Sequence, residues 1–223
     1  MKYTIAIDGP AASGKSSTAE AIAKRLRFER LDSGMLYRAI TFLIYEKFND
    51  FDEKSPNILD FVNSIRLEQK NGRMLYENRD ITDYLRTADV DSKVGLVARQ
   101  LFVRRKTFEM QQDILRKFNA LDNVSGIVVD GRDIGTVVLP NAFLKLYITA
   151  EASKRAERRS KQTGEDFDAV LEEIERRDSH DTTREHGRLV CADDAILIDN
   201  GLLTLDQTVD MIIEIFNRKV DSL

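Results

Sequence analysis

An α/β fold, a central parallel sheet flanked by helices, is the architecture this sequence predicts, and three observations predict it. A short β-branched run, Tyr3 to Ile7, ends at Asp8-Gly9-Pro10 and switches from Ser16 to helical spacing through Ala19, Ile22, Ala23 and Leu26. Further short apolar runs, Ile127 to Asp130, Phe143 to Ile148 and Ala195 to Ile198, alternate with helical stretches. These runs are apolar on successive residues, which marks strands buried on both faces, the condition of a parallel sheet between helices. Ligands of such sheets bind beyond the carboxyl ends of the strands, so the loops there hold the candidates.

Taken in order, the first strand, a glycine loop and a helix are followed after Gly34 by a second helix with Leu36, Ile40, Leu43, Ile44 and Phe48 on one face. Its signal fades at Asn49-Asp50, where a polar segment with Pro56 begins. Ile65 to Gln69 and Arg73 to Glu77 flank Lys70-Asn71-Gly72, and Asn-Gly between two such runs predicts an antiparallel hairpin. Helical spacing returns from Val90 to Phe118 as one long helix or two consecutive ones. A stretch dense in Arg and Glu, broken near Thr163-Gly164, separates the last two strands, and a helix from Thr204 to Arg218 closes the chain. The expected division is a core of residues 1–48, 91–150 and 190–223, a small insert at 49–90 and a helical segment at 151–189.

With 223 residues, 42% of them hydrophobic and only 3 Pro and 11 Gly, the chain suits one helix-rich core carrying an insertion and excludes collagenous or low-complexity disorder. A net charge of −4 offers no general positive field for a polyanion, so nucleic acid is not an expected partner. Cys191 is the single cysteine, and neither metal-type cysteine spacing nor a secretory pattern is present, so a reducing, cytoplasmic compartment is expected. No apolar run approaches the length of a membrane span, so no membrane partner is expected, and a monomer is.

Gly9-Pro10-Ala11-Ala12-Ser13-Gly14-Lys15-Ser16 matches the phosphate-loop pattern G-x-x-x-x-G-K-S/T, and it sits where that pattern works, after a strand and opening a helix. Its backbone N–H groups can turn inward to cradle phosphate oxygens, Lys15 can follow the β- and γ-phosphates, and the Ser16 hydroxyl can ligate Mg²⁺. Val128-Val129-Asp130-Gly131-Arg132-Asp133 places a carboxylate at a strand end, where Asp130 could orient Mg²⁺ and Arg132 face the same phosphates as Lys15. Read alone, Leu31-Asp32-Ser33-Gly34 before Tyr37-Arg38 is equally a helix cap beside a surface arginine, but its place at the second strand-to-helix connection, on the rim of the phosphate loop, favours a phosphate-binding Arg38. Between Glu151 and Arg188, seven arginines meet eleven acids, so that segment is no basic patch; its faces matter. Arg155, Arg158 and Arg159 share one helical face, and Arg177, Asp181 and Arg184 form another stripe, either a salt-bridge-laced hairpin or a phosphate-binding surface.

These motifs together resemble the cytidylate kinase family of the bacterial type, and the likeness covers essentially the whole chain. It is carried by the phosphate loop, Leu31-Asp32-Ser33-Gly34 with Tyr37-Arg38, Asp130 to Val138, Arg155-Ala156 with Arg158-Arg159, and Arg177-Asp178 with Asp181 and Arg184. The resemblance implies a P-loop kinase core, a monophosphate-binding insert and a helical lid, and transfer of the ATP γ-phosphoryl group to CMP or dCMP with Mg²⁺. It implies that Gly9 through Ser17, including Ser17 itself, hold ATP, and that Arg155, Arg158 and Arg159 close over it. Ser33, Arg38, Arg132 and Arg184 would hold the CMP phosphate side, Arg177 and Asp181 the ribose, and Arg104 with Asp133 the cytosine edge. Lys15, Arg132, Arg159 and Arg184 would neutralise the transferring group, with Ser16 and Asp130 at the metal. Two departures stand out: Gly95 where the family often has a serine nine residues before Arg104, and Arg188-Leu189 where Pro-Leu often follows the lid. Two other readings fit a phosphate loop, a small-molecule kinase of the shikimate type and a nucleotide-dependent switch. A hydroxyl acceptor would want a carboxylate base, and a switch has no use for a second set of phosphate-binding arginines.

Overall fold

In the computed structural model, residues 2–70 and 72–223 are described. In chain order the elements are β1 (Tyr3–Asp8), α1 (Lys15–Leu26), β2 (Glu29–Asp32), α2 (Ser33–Phe48), α3 (Pro56–Ser64), β3 (Leu67–Lys70), β4 (Arg73–Tyr76) and β5 (Arg79–Asp80). There follow α4 (Ala88–Ala98), α5 (Leu101–Asn119), β6 (Gly126–Gly131), β7 (Leu144–Thr149), α6 (Ala152–Thr163), α7 (Phe167–Thr183), β8 (Ile196–Asp199) and α8 (Leu205–Asp221). Two compact units result, Met1–Leu31 with Leu121–Leu223, and Asp32–Ala120.

The first unit is built on a five-stranded sheet of order β2-β6-β1-β7-β8, in which β1 pairs in parallel with both β6 and β7, and β7 with β8. The pairing brings Asp8 level with Gly131 on one side and Tyr147 on the other, so the carboxyl ends of the three central strands share one rim. Alternate strand residues Ile5, Ile7, Val128, Leu144, Leu146, Ile148 and Ile198 face Ala19, Ile22 and Ala23 of α1 and Val209, Ile212 and Phe216 of α8. Each element supplies the periodicity its geometry needs, two for strands and three to four for helices. Helix α8 is opened by a reciprocal cap in which the Thr204 hydroxyl accepts from Gln207 N and the Gln207 side chain accepts from Thr204 N. At the amino ends of the strands Phe216 meets Tyr3, Phe28 and Phe143 edge-on, at centroid distances of 5.3 to 5.7 Å. Helices α6 and α7 form a hairpin around Ala156, Val170 and Ile174, with the break between helices at Gly164 where the sequence expects it.

The second unit centres on α2, which buries Leu36, Ile40, Leu43 and Ile44 and is packed by α3, α4 and α5. The expected hairpin is present as β3 and β4, from Leu67 opposite Tyr76 to Lys70 opposite Arg73, and its turn residue Asn71 lies outside the described residues. A third antiparallel strand, β5, is added by Leu75 opposite Asp80. The stretch from Val90 to Phe118 resolves into two helices, broken at Arg99-Gln100. Helix α3 forms within the segment read as polar: Pro56 is preorganised for the first turn, and Ile58, Phe61 and Val62 supply a buried face at helical spacing. Among the described residues no helix is long and apolar enough to cross a membrane.

The aromatic cluster generates a stability prediction. Phe216 is 5% exposed, so Phe216→Ala should cost about 3–5 kcal/mol through lost burial and the cavity left behind. Urea unfolding checks it, and a loss below about 1 kcal/mol would mean that the ring is not part of the core.

Candidate active site

The glycine loop leaves β1 at the rim of the sheet. A Cβ on Gly9 would sit 2.1 Å from the Ile148 carbonyl oxygen, so only glycine lets the loop pass so close to β7. Ala12 and Gly14 are left-handed at φ 55° and 82°, which turns the chain into α1. No acid lies in the first turn of α1 and its N-cap residue, Gly14, offers no side-chain acceptor, so the amides there are left for an external anion. The buried Ser13 hydroxyl has no hydrogen-bond partner among the described residues, as expected of a group awaiting a polar ligand. Lys15 is buried and donates from Nζ to the Pro10 carbonyl at 2.8 Å. Burial pushes its pKa well below the ordinary range, and the Arg132 charge adds to that fall.

The Ser16 hydroxyl donates to Asp130 Oδ2 at 2.7 Å, joining the first turn of α1 to the end of β6. Asp130 also pairs with Arg30 at 3.1 Å. A hydroxyl and a carboxylate side by side are hard oxygen donors of the number Mg²⁺ takes from protein when it keeps most of its water, so the donor set fits that ion. On the neighbouring strand end, Asp8 accepts from Ile134 N and Gly135 N at 2.8 and 2.7 Å, which fixes a single π-helical turn, Ile134–Val138, directly after Arg132 and Asp133. A Cβ on Gly135 would meet Asp8 and the stem of Lys145 at 3.3 Å, so the turn is held from two sides. Lys145 in turn reaches Asp194 at 2.8 Å. Asp133 is buried, and its backbone carbonyl accepts from Val137 N at 2.9 Å.

Helix α7 presents its stripe as the spacing predicts. Asp181 accepts from Arg132 Nε at 2.6 Å on one oxygen and pairs with Arg184 Nη1 at 3.1 Å on the other. Burial alone would raise the Asp181 pKa; the two guanidiniums outweigh it and hold the carboxyl below its ordinary value. Arg184 also donates to the Gly187 carbonyl, and Arg177 lies close enough to act electrostatically on Lys15. The three arginines of α6 do not behave alike. Arg155 is buried against the loop, Arg158 donates to Asn200 Oδ1 and to the Asn200 and Gly201 carbonyls, and Arg159 is half-exposed beside Glu165. The forks of Arg155 and Arg158 are thus directed at protein groups, two carbonyls and the Asp178 carboxylate for Arg155, and the Asn200 side chain and nearby carbonyls for Arg158.

In the second unit, Asp32 caps α2 by accepting from Met35 N, and pairs with Arg86, while Ser33 opens the helix as a buried residue. Arg38 donates to the Leu85 carbonyl at 2.9 Å and to Asp91 at 2.6 Å. It is an oriented group rather than a solvated one. Arg104 is buried, lies over the Tyr37 ring at 5.5 Å and donates to the Ala98 carbonyl. A Cβ on Gly95 would meet nothing within 4 Å, so that position has room for a side chain.

This geometry is that of a phosphate loop with an oxygen pair at its helix and a further set of fixed arginines. A family profile described as cytidylate kinase matches residues 5–218. The chain belongs to the cytidylate kinase family. Its relatives include a protein of Vairimorpha ceranae named "Probable cytidylate kinase", 40% identical over 99% of this chain and 100% of that one. The cytidylate kinase of Enterococcus faecalis is also 40% identical, over 98% of this chain and 97% of its own. A solved structure of an uncharacterized protein from Eubacterium ventriosum shares the fold, with a TM-score of 0.53 at 14% identity over 98% of this chain and 99% of that chain.

Four residues to which the sequence motifs assigned no role hold this site together. Asp8 carried the signal used for Asp130, an acid ending a buried strand, and could have been found by it. Asp178 stands beside Arg177 in the quoted motif without a role of its own, and it accepts from Ala11 N at 2.8 Å. Arg30 and Asn200 have no local signal, since the groups by which they join the site, Asp130 and the Ser13 carbonyl, lie 100 and 187 residues away.

A pH prediction follows from Asp8. Burial raises its carboxyl from 3.8 to about 6, against the pull of the two amides. The folded state therefore holds this proton more tightly than the unfolded chain, and the stability so gained is full below the unfolded value and lost as pH climbs through 6. Asp8→Asn removes that decline, so its stability relative to wild type should gain about 2 kcal/mol between about pH 4.5 and about pH 7.5. Urea unfolding at both pH values measures it, and parallel behaviour of the two proteins would remove Asp8 as the cause.

Proposed function

We propose that this chain transfers the γ-phosphoryl group of ATP to CMP or dCMP, giving ADP and CDP or dCDP, in pyrimidine nucleotide metabolism. The observation that carries the reading is the pair of arginines, Arg132 and Arg184, held apart by one carboxylate, Asp181, in the same unit as the phosphate loop. A donor nucleotide alone needs the loop; a second phosphate needs a second fork.

The acceptor of this reaction is already an anionic oxygen, so no general base is required and catalysis reduces to alignment and neutralisation of charge. The loop from Gly9 to Ser17 holds the ATP phosphates on its amides, and Lys15, stripped of water, supplies an ammonium to the β- and γ-phosphates. Ser16 and Asp130 hold Mg²⁺, which when bound neutralises developing charge on the phosphates. Arg132 and Arg184 take the acceptor phosphate, Asp181 and Arg177 the ribose, and Arg159 of the lid reaches the donor. Ser33, Arg38 and Arg104 carry their roles toward CMP by motif, as Asp133 does toward the base. Residues 49–90 serve as the monophosphate-binding insert and 151–189 as the lid on a core of the remaining residues. The enzyme works as a cytoplasmic monomer without nucleic acid or membrane partners, in keeping with its net charge of −4.

ADP release with ATP and each of four monophosphates tests the reading. CMP and dCMP should have kcat/KM well ahead of UMP, with AMP poor, because cytosine offers a donating amine and an accepting N3 where uracil reverses both. UMP equal to CMP would show that Arg104 and Asp133 do not read the base, and turnover of none of the four would overturn the kinase assignment. Lys15→Ala should leave the fold intact and lower kcat at least about a hundredfold, by removing the ammonium while the loop backbone stays. Near-normal turnover in the folded variant would sink that role.

A further inference from the structure

Ala11, near the crown of the phosphate loop, is gripped at both of its backbone polar groups. Its N–H donates to Asp178 Oδ1 at 2.8 Å and its C=O accepts from Arg155 Nη1 at 2.7 Å. The same Arg155 nitrogen pairs with the other Asp178 oxygen at 2.7 Å, closing a ring through the two helices α6 and α7. Arg155 Nε is anchored in turn on the Ala150 carbonyl at 2.7 Å, where β7 ends. Every member of the ring is shielded: Ala11 is 2% exposed, Arg155 5%, and the Asp178 side chain 21%. On the other side of the left-handed residue Ala12, the Ser13 carbonyl accepts from Asn200 Nδ2 at 2.9 Å, and Arg158 braces Asn200. Two arginines one turn apart on α6 thus serve the two flanks of a loop that contains a non-glycine residue at φ 55°. A strained conformation of this kind persists only where its surroundings over-determine it.

We propose that Asp178 is a positioning residue for the donor nucleotide: with Arg155 it clamps Ala11 and holds the loop in the shape that receives phosphate. The clamp acts through Pro10, the residue before Ala11, whose carbonyl is the seat of the Lys15 ammonium. A carboxylate this close to a phosphate site would repel the ligand if left bare. Arg155 neutralises it, and each charge is the other's reason for being buried. Arg155 therefore acts on ATP through the loop and does not touch it.

The inference rests on the loop's holding the ATP phosphates, and ADP affinity is the readout because it reports on the loop even if CMP is not the acceptor. Wild-type protein is first titrated with ADP calorimetrically and assayed with ATP and CMP. ADP binding without turnover would count against the acceptor assignment and leave the clamp open to test on affinity. Asp178→Ala should weaken ADP at least about tenfold while KM for CMP moves less than about twofold, since only the donor loop relaxes. Asp178→Asn keeps an oxygen for the Ala11 amide and should recover part of the loss. Arg155→Ala in the Asp178→Ala background should add little, because the ring is already open; a direct ATP contact would instead make the two losses multiply. Wild-type ADP affinity in folded Asp178→Ala, or multiplying losses in the double variant, overturns the proposal. If Asp178→Ala does not fold, Asp178→Asn with Arg155→Lys carries the test, each expected to weaken ADP and leave KM for CMP in place.

Discussion

A buried carboxylate at the end of the central strand is the constraint on which the chemistry depends. Asp8 precedes the phosphate loop in the chain and, through two amide hydrogen bonds, fixes the turn that follows Arg132 and Asp133. The start of the glycine loop and the segment that follows Arg132 are therefore tied together through one side chain. The sheet order makes this possible, because β1 lies between β6 and β7 and its last residue, Asp8, is level with Gly131 at the end of β6. The cost is a carboxylate in a dry place, visible in its raised pKa, and the protein bears it at the position where a slack joint would misplace charge by an ångström.

Around that joint, charge is buried only in company. Lys15 sits on a carbonyl, Asp181 between two guanidiniums, Arg155 between Asp178 and two carbonyls, Asp130 between Ser16 and Arg30. Each arrangement offsets the loss of water with directed donors and acceptors, which is the form in which buried ions persist. It also leaves each group oriented in advance, so that little reorganisation is left for the moment of reaction.

The fold was legible where the physics is local. Strands of consecutive apolar residues, the Asn-Gly turn signal and the glycine pattern before α1 depend on neighbours in sequence, and the elements they imply are present. Strand β2 was implied only by the strand-to-helix connection at Leu31-Asp32 and its extent was not read, because Glu29-Arg30-Leu31-Asp32 is polar and its membership in the sheet is decided by its partner. Helix α3 was missed for its brevity. The same division holds at the site: Gly9 to Ser16, Asp130, Arg132, Asp181 and Arg184 announce themselves by motif or stripe. Asn200 and Arg30 do not, because nothing near them in the chain reveals a partner so far away. The α6 arginines show the limit of spacing as a guide. A shared helical face was correctly read, but which of its members meets solvent and which meets backbone is settled by the loop packed against it.

The aromatic cluster of Tyr3, Phe28, Phe143 and Phe216 has a bearing on how this fold can change. It binds the amino ends of the strands, while the carboxyl ends carry the glycine loop and Arg132. Cohesion and chemistry thus occupy opposite ends of one sheet, about six residues apart along each central strand. Substitutions at the working rim draw on a framework whose adhesion lies elsewhere. Such a scaffold is evolvable: its rim can be rewritten for another acceptor while the far end keeps the chain folded.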